Sequence, residues 1–305
     1  MGSIERVGFS MPMAACTLGH RRVIKRMSNK RFGLSYDGFA TLFTLFAVAD
    51  DPAPCLEDLR DYLMLSRKTM LSILSDLEAR GLVSKLSDPD DHRKMRLRLT
   101  STGRTLTAEA LQAFDEIWET KLCANLPDEE FARFMASGTI ERSVAALRGR
   151  DCPLSLPHAN RRFYSIDHVV YWRAMSDGWA RVARRAGDVT MVEFGILALL
   201  DDAGDLPTTS VIDALMVQRS VVSACTRALV ARGLVVVSQD GSDGRRTTLS
   251  PTRDGRALAR RLKRELVSFT QHYDTPSDDS AAIINTWYSR MHANLRACWR
   301  ELLCE

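Results

Sequence analysis

The chain has no apolar run long enough to cross a bilayer; its longest candidates, 39–49 and 194–200, are of core-helix length. It has no excess of charge of one sign. A net charge of only +4 means that any affinity for a polyanion must come from where the basic residues sit. The seven cysteines (Cys16, Cys55, Cys123, Cys152, Cys225, Cys298 and Cys304) include no Cys-x-x-Cys pair, so free thiols are expected rather than a disulfide framework. His20, His92, His158, His168, His272 and His292 are not spaced as metal ligands. No nucleophile, paired-carboxylate or phosphate-loop motif stands out, which argues against an enzyme and calls for no cofactor. No apolar segment precedes the basic cluster Arg21, Arg22, Lys25 and Arg26, so a cytoplasmic protein without membrane attachment is expected.

What is present is a repeat. A length of 305 residues suggests two domains at roughly 150 residues each, and a 45% apolar content lets each bury a core. The stretch Leu77–Gly103 reads as a helix closed by Arg80-Gly81, a short apolar strand, an Asp-rich turn with Pro89, a return strand and a new helix capped by Thr100. In the return strand Arg96 and Arg98 alternate with Leu97 and Leu99, as in a half-exposed hairpin. Leu229–Gly255 repeats the pattern. Gly81 and Gly233, Arg93 and Arg245, and Gly103 and Gly255 are each 152 positions apart, so no gap separates the two copies.

The helices before each hairpin repeat too. Ser35 and Thr190 are matching helix caps, but they lie 155 positions apart; a loop around 47–55 absorbs the three-residue difference. Leu56, Leu59 and Leu63 mark one short helix. Ser66 then caps a second, with Met70, Ile73, Leu74 and Leu77 inward, in helix-turn-helix spacing. In the other half the corresponding helix runs from Gln218 to Arg232. Helix stripes also flank both copies: 11–27, 102–122 and 126–147 in the first half, and 166–182, 258–269 and 281–302 in the second. A segment at 148–160, with Gly149, Pro153 and Pro157, reads as the connection.

Leu-x-x-Arg-Gly-Leu-Val, then Asp-Pro-x-Asp-x-Arg, then Leu-Thr-x-x-Gly resembles the wing signature of MarR-family transcription regulators. The match is close at Leu77–Gly103 and looser at Leu229–Gly255, where Gly241 replaces the proline and Pro251 precedes Thr252. The resemblance implies a mainly α fold with small β-wings. Two winged helix-turn-helix units would form a single-chain pseudo-dimer through their terminal helices: 1–150 the first, 151–160 the linker and 161–305 the second.

The resemblance implies double-stranded DNA as the partner. The recognition-helix role falls on Ser66, Arg67, Lys68, Thr69 and Ser72, and on Gln218, Arg219, Ser220 and Ser223. The wing role falls on Arg93 with Asp91 and Lys94, and on Arg245 with Asp243 and Arg246. The first wing is the more basic: Lys85, Arg96 and Arg98 stand where the second has Val237, Thr248 and Ser250. Unequal half-sites follow as an expectation.

The five tryptophans, Trp299 among them, fall on the terminal helices. Packing is the plainer reading of them. The sharper one is an effector pocket bordered by Trp118, Trp172, Trp179 and Trp287, since many family members take a small aromatic ligand. Some relatives sense oxidants through a first-helix cysteine; Cys16 sits there without polar company and reads as a small apolar residue. The expected function is a ligand-responsive repressor. The competing one is a protein-binding pseudo-dimer that modulates another regulator without touching DNA. The sequence leaves further self-association open.

Overall fold

The computed structural model describes residues 10–48, 53–88, 91, 94–149, 152, 154, 164–239, 247–273 and 278–304. It divides into two compact units, His20–Ala174 and Met1–Gly19 with Met175–Glu305. Among the described residues, no helix is long and apolar enough to cross a membrane.

The first winged helix lies within His20–Ala174. Helix α1 (Met11–Phe32) enters it at His20 and is followed by α2 (Tyr36–Ala47), α3 (Leu56–Tyr62) and α4 (Arg67–Ala79). The wing is an antiparallel pair, β1 (Val83–Ser87) and β2 (Met95–Leu99), with Val83 opposite Leu99 and Ser87 opposite Met95. Then come α5 (Ser101–Ile117), a π-helical turn (Trp118–Leu122), α6 (Asp128–Ala136) and α7 (Thr139–Arg148). The first turns of α8 (Ile166–Gly187) complete this unit.

The second unit takes α8 from Met175, then α9 (Met191–Ala203), β3 (Leu206–Pro207), α10 (Thr208–Leu215) and α11 (Arg219–Ala231). Its wing, β4 (Val235–Gln239) and β5 (Thr247–Pro251), leads into α12 (Arg253–Tyr273) and α13 (Asp278–Cys304). The segment of α1 up to Gly19 belongs here, its Cys16 thiol donating to the Tyr288 carbonyl of α13 at 3.3 Å.

The compact units thus cut the chain differently from the repeat: α1 divides at Gly19 and α8 at Ala174, so each unit takes in a helical segment from the other half of the sequence. The connection expected at 151–160 lies outside the described residues except for Cys152 and Leu154.

Most helix starts are where the capping residues put them. Ser35, Ser66, Thr100 and Thr190 each accept a backbone N–H from three residues on. Glu193 reaches back to the Thr190 N–H, closing a capping box. The one long helix expected from 126 to 147 is instead two. Gly138 takes a left-handed φ of 60° between α6 and α7, which Gly does at no steric cost. β3 is also unannounced by the sequence. Two residues ending in a proline carry no periodicity, yet Leu206 pairs with Leu249 and makes the second sheet three-stranded. Among the described residues the first unit has only an isolated bridge there, Cys55 to Arg96.

The repeated glycines do two different jobs. Gly81 and Gly233 adopt φ of 66° and 67° and end the helices before the wings. The Leu82 N–H then reaches the Leu77 carbonyl, a Schellman closure, and Leu234 does the same to Leu229. Gly103 and Gly255 have ordinary φ but no room: a Cβ would sit 1.9 Å from the Leu82 carbonyl oxygen and 2.0 Å from that of Leu234. The hydroxyls of Thr100 and Thr252 bond those same segments, at 2.7 Å to Gly81 and 2.9 Å to Gly233. The wing is thereby stitched to the helix that follows it. Gly103→Ala should therefore cost more than Gly81→Ala in chemical denaturation: about 2–3 kcal/mol from overpacking against backbone, compared with about 1 kcal/mol for the left-handed turn.

Candidate nucleic-acid interface

Helices α4 and α11 are held in place by the same device. Arg80, the C-cap of α4, donates through Nη1 to the Gly33 carbonyl (2.8 Å) and through Nη2 to that of Phe32 (2.9 Å), at the C-terminus of α1. Arg232, the C-cap of α11, reaches Asp188 and Gly187 at the end of α8, both at 2.8 Å. Terminal helix carbonyls lack partners and carry the negative end of the dipole, so a guanidinium fork suits them. The two pairs of acceptors are 155 positions apart and the two arginines 152, which bears out the loop difference read from the caps.

With their C-termini fixed, both helices turn their N-terminal faces to solvent. Ser66, Arg67, Lys68, Thr69 and Ser72 are exposed, while Met70, Leu74 and Leu77 are buried. Ser66 also spends its hydroxyl on the cap, accepting from the Thr69 N–H at 3.1 Å. Gln218, Arg219 and Ser220 are exposed and Ser223 half-buried, above buried Val222, Thr226 and Leu229. Gln218 makes no side-chain cap, unlike its counterpart Ser66. Neither helix has an acid in its first turn. Basic residues at a helix N-terminus oppose the dipole, so Arg67, Lys68 and Arg219 carry a small unfavourable term that an anionic partner would relieve.

The wings divide. Arg93, Asp243, Arg245 and Arg246 lie outside the described residues. Lys94 is exposed and Asp91 half-buried, the Lys94 N–H donating to the Asp91 carbonyl at 2.8 Å. Two of the basic residues counted toward the first wing have structural work. Arg96 pairs with nearly buried Asp88 at 2.7 Å and donates to the Ala53 carbonyl, and Lys85 pairs with Glu78. The greater basicity of this wing is therefore partly spent inside the unit, a use that strand alternation could not reveal.

Sequence reasoning also missed what anchors the helix-turn-helix. In the first unit Arg148 pairs with Asp167 (3.0 Å), lies 3.9 Å over the Tyr62 ring and donates to the Tyr62 carbonyl. The Tyr62 hydroxyl donates to Asp167 at 2.8 Å. Buried Arg173 bonds the Leu63 carbonyl and pairs with Asp37 at 3.4 Å. In the second unit Arg300 of α13 pairs with Asp213 of α10 at 2.7 Å.

Residues 40–103 match the model of a winged helix DNA-binding domain, and residues 189–247 match that of the MarR family. The stretch 189–247 is thus similar to the MarR family. The family model thus falls on the half whose wing signature is the looser. No curated protein matches the chain. Among solved structures it is similar to Bordetella bronchiseptica BpsR, described for regulation of DNA binding by 6-hydroxynicotinic acid (22% identity over 40% of this chain and 94% of that one, TM-score 0.35). It is similar to MepR of S. aureus in a DNA complex (26%, 37% and 83%, TM-score 0.33). It is also similar to CouR from Rhodococcus jostii RHA1 bound to p-coumaroyl-CoA (21%, 38% and 83%, TM-score 0.34).

The four tryptophans of the expected effector pocket are all buried. In the first unit Trp118 and Trp172 stack at 5.3 Å, with His20 5.1 and 4.9 Å from their rings. Trp179 and Trp287 belong to the other unit, where the Trp179 indole N–H donates to Thr270 Oγ1 at 3.0 Å. Cys16 is fully buried and its thiol is pushed well up by desolvation, the opposite of a reactive thiolate.

His20 and His168 are buried in the aromatic cluster, and both His20 ring nitrogens lack a hydrogen-bond partner. Burial pushes both imidazoles down to about 3, and for His20 the neighbouring His168 adds to the effect. Both are neutral when folded, whereas the unfolded chain takes up protons below about pH 6.5. The first unit should therefore lose stability as pH falls from 6.5 towards 3, by up to about 2.7 kcal/mol per pH unit for two protons. Urea midpoints measured across that range should show this slope, and His20→Gln should roughly halve it.

Proposed function

We propose that this protein is a transcription regulator that binds double-stranded DNA, with two winged helices of one polypeptide, 1–150 and 161–305, meeting two half-sites as an internal pseudo-dimer. Its action is that of a ligand-responsive repressor. The observation that carries the reading is that α4 and α11 stand on the same clamp and stitches, and both open with exposed basic and hydroxyl side chains and no acid. Such a face can donate to phosphates and base edges. Arg93 with Asp91, and Arg245 with Asp243, complete the proposal as the wing contacts beside each groove. Because α4 offers Arg67 and Lys68 where α11 offers Arg219 and Ser220, the half-sites are unequal.

Fluorescence anisotropy on the DNA upstream of the protein's own gene tests this. Arg67→Ala and Arg219→Ala should each weaken binding about tenfold or more and lower the salt slope by about one phosphate contact. The losses should differ, as should those from Arg93→Ala and Arg245→Ala. Binding that none of these changes affects would favour the protein-binding alternative. Equal losses on a palindromic site would remove the asymmetry.

A further inference from the structure

Helix α1 carries a charge that the DNA-reading helices do not explain. From Val7 to Tyr36 the sequence has no acid, and within that stretch stand Arg21, Arg22, Lys25, Arg26, Lys30 and Arg31. All six are exposed or half-exposed, while Val23, Ile24, Met27 and Ser28 between them are buried. Arg22, Arg26 and Lys30 follow one another at four-residue steps, and Arg21 and Lys25 form the next row. Cations therefore stand roughly 5–6 Å apart along one face. Like charges at that spacing repel and weaken the helix that bears them. The side chains of Lys25 and Arg26 have no partner among the described residues. Asp37 and Asp76, on the helices that adjoin the end of α1, are already paired with Arg173 and Arg80.

The second unit does not repeat this face. Ser176, Asp177, Ala180 and Ala186 stand where the first unit has Arg21, Arg22, Lys25 and Arg31; only Arg181 and Arg185 are kept. The clamp from Arg80 uses backbone carbonyls of Phe32 and Gly33, so the fold has no need of these cations. Among the described residues the exposed large apolar side chains lie on α4, α11 and the wings, and none on α1. A protein interface is built round an apolar centre and a membrane-surface helix on an apolar face; α1 offers neither to solvent. A phosphodiester backbone needs only cations at regular spacing, and its binding gains from the counterions it sheds.

The Arg80 clamp puts the end of α1 at the C-terminus of α4, about 20 Å from Arg67 along a 13-residue helix. A duplex read by Arg67 thus leaves the α1 face to other DNA. We propose that this face, centred on Lys25 and Arg26, binds the phosphodiester backbone of double-stranded DNA outside the site read by α4, without regard to sequence. That backbone belongs to a flank of the same duplex or to a second duplex. Its place relative to α4 rests on the DNA-binding reading; the polyanion face itself does not.

The test is fluorescence anisotropy of the full chain with the DNA upstream of its own gene, trimmed to its footprint or extended on both sides by unrelated sequence. Lys25→Gln with Arg26→Gln should weaken binding to the extended duplex about tenfold and lower the slope of log K against log salt by about 1.8. Binding to the trimmed duplex should change less than twofold. Arg133→Gln with Arg296→Gln, an equal loss of charge elsewhere, should leave both within twofold. A second arm asks whether bead-bound trimmed duplex, loaded with protein, captures a free labelled duplex of unrelated sequence. A length effect without capture assigns the flank, and capture lost in the Lys25 and Arg26 variant assigns a second duplex. Neither effect, or an equal loss from the control pair, overturns the proposal. Displacement by polyglutamate as readily as by DNA of equal charge overturns it in favour of an acidic protein. If the chain shows no preference for its upstream DNA, yet binds unrelated duplex through Lys25 and Arg26, the face stands and the proposed function falls.

Discussion

A guanidinium that closes someone else's helix is the contact from which each winged helix is built. Arg80 ends α4 and at the same time satisfies the last carbonyls of α1; Arg232 does this for α11 and α8. Two charge-assisted hydrogen bonds from one planar group leave little freedom in either distance or tilt. The helix that faces solvent is therefore fixed by its buried end. The rest follows along the chain: the left-handed glycine comes directly after the arginine, the strand after the glycine, and the strand's first carbonyls receive the threonine that caps the next helix. Shifting the arginine by one residue would leave two helix ends unsatisfied and turn the face of α4 or α11 away from solvent.

On that common frame the two units have diverged where the frame does not constrain them. Positions that carry the clamp, the turn and the close approach match residue for residue: Arg80 and Arg232, Gly81 and Gly233, Thr100 and Thr252, Gly103 and Gly255. Positions on the flank facing the wing do not. Leu71 and Leu74 in one unit are Ser223 and Thr226 in the other. Burying a hydroxyl where a leucine methyl could sit costs stability unless something pairs with it, so the second unit carries a small deficit there. Backbone geometry leaves no choice at the first set of positions, while at the second a side chain answers only to its surroundings.

The links between the helix-turn-helix and the flanking helices show how a matched arginine can meet the same task with different partners. The first unit uses Arg148, Asp167, Tyr62 and Arg173 around the end of α3; the second uses Arg300 and Asp213 at α10. The two arginines share the repeat register, 152 positions apart, but their partners do not: Arg148 turns to Asp167 and Tyr62, Arg300 to Asp213. They meet because helices distant in sequence lie side by side, and a long arginine can reach a carbonyl or a carboxylate from many starting points. The same holds for Arg96, whose place in an alternating strand reads as an outward charge, though its head group is held by Asp88 and Ala53.

The sequence by itself determined the elements whose cause is local. Capping side chains, left-handed glycines, helical stripes and the doubled wing pattern each act within a few residues, so Ser66, Thr100, Gly81 and their counterparts could be read without a fold. Tertiary structure alone decided which charges remain for a partner and which are spent inside. It also decided that Gly103 is needed for space rather than for φ, that His20 and His168 share an aromatic interior, and that Thr226 lines a cleft while Leu74 fills a core. These depend on contacts between segments far apart in the chain, and the packing that brings them together leaves no periodic trace in the sequence.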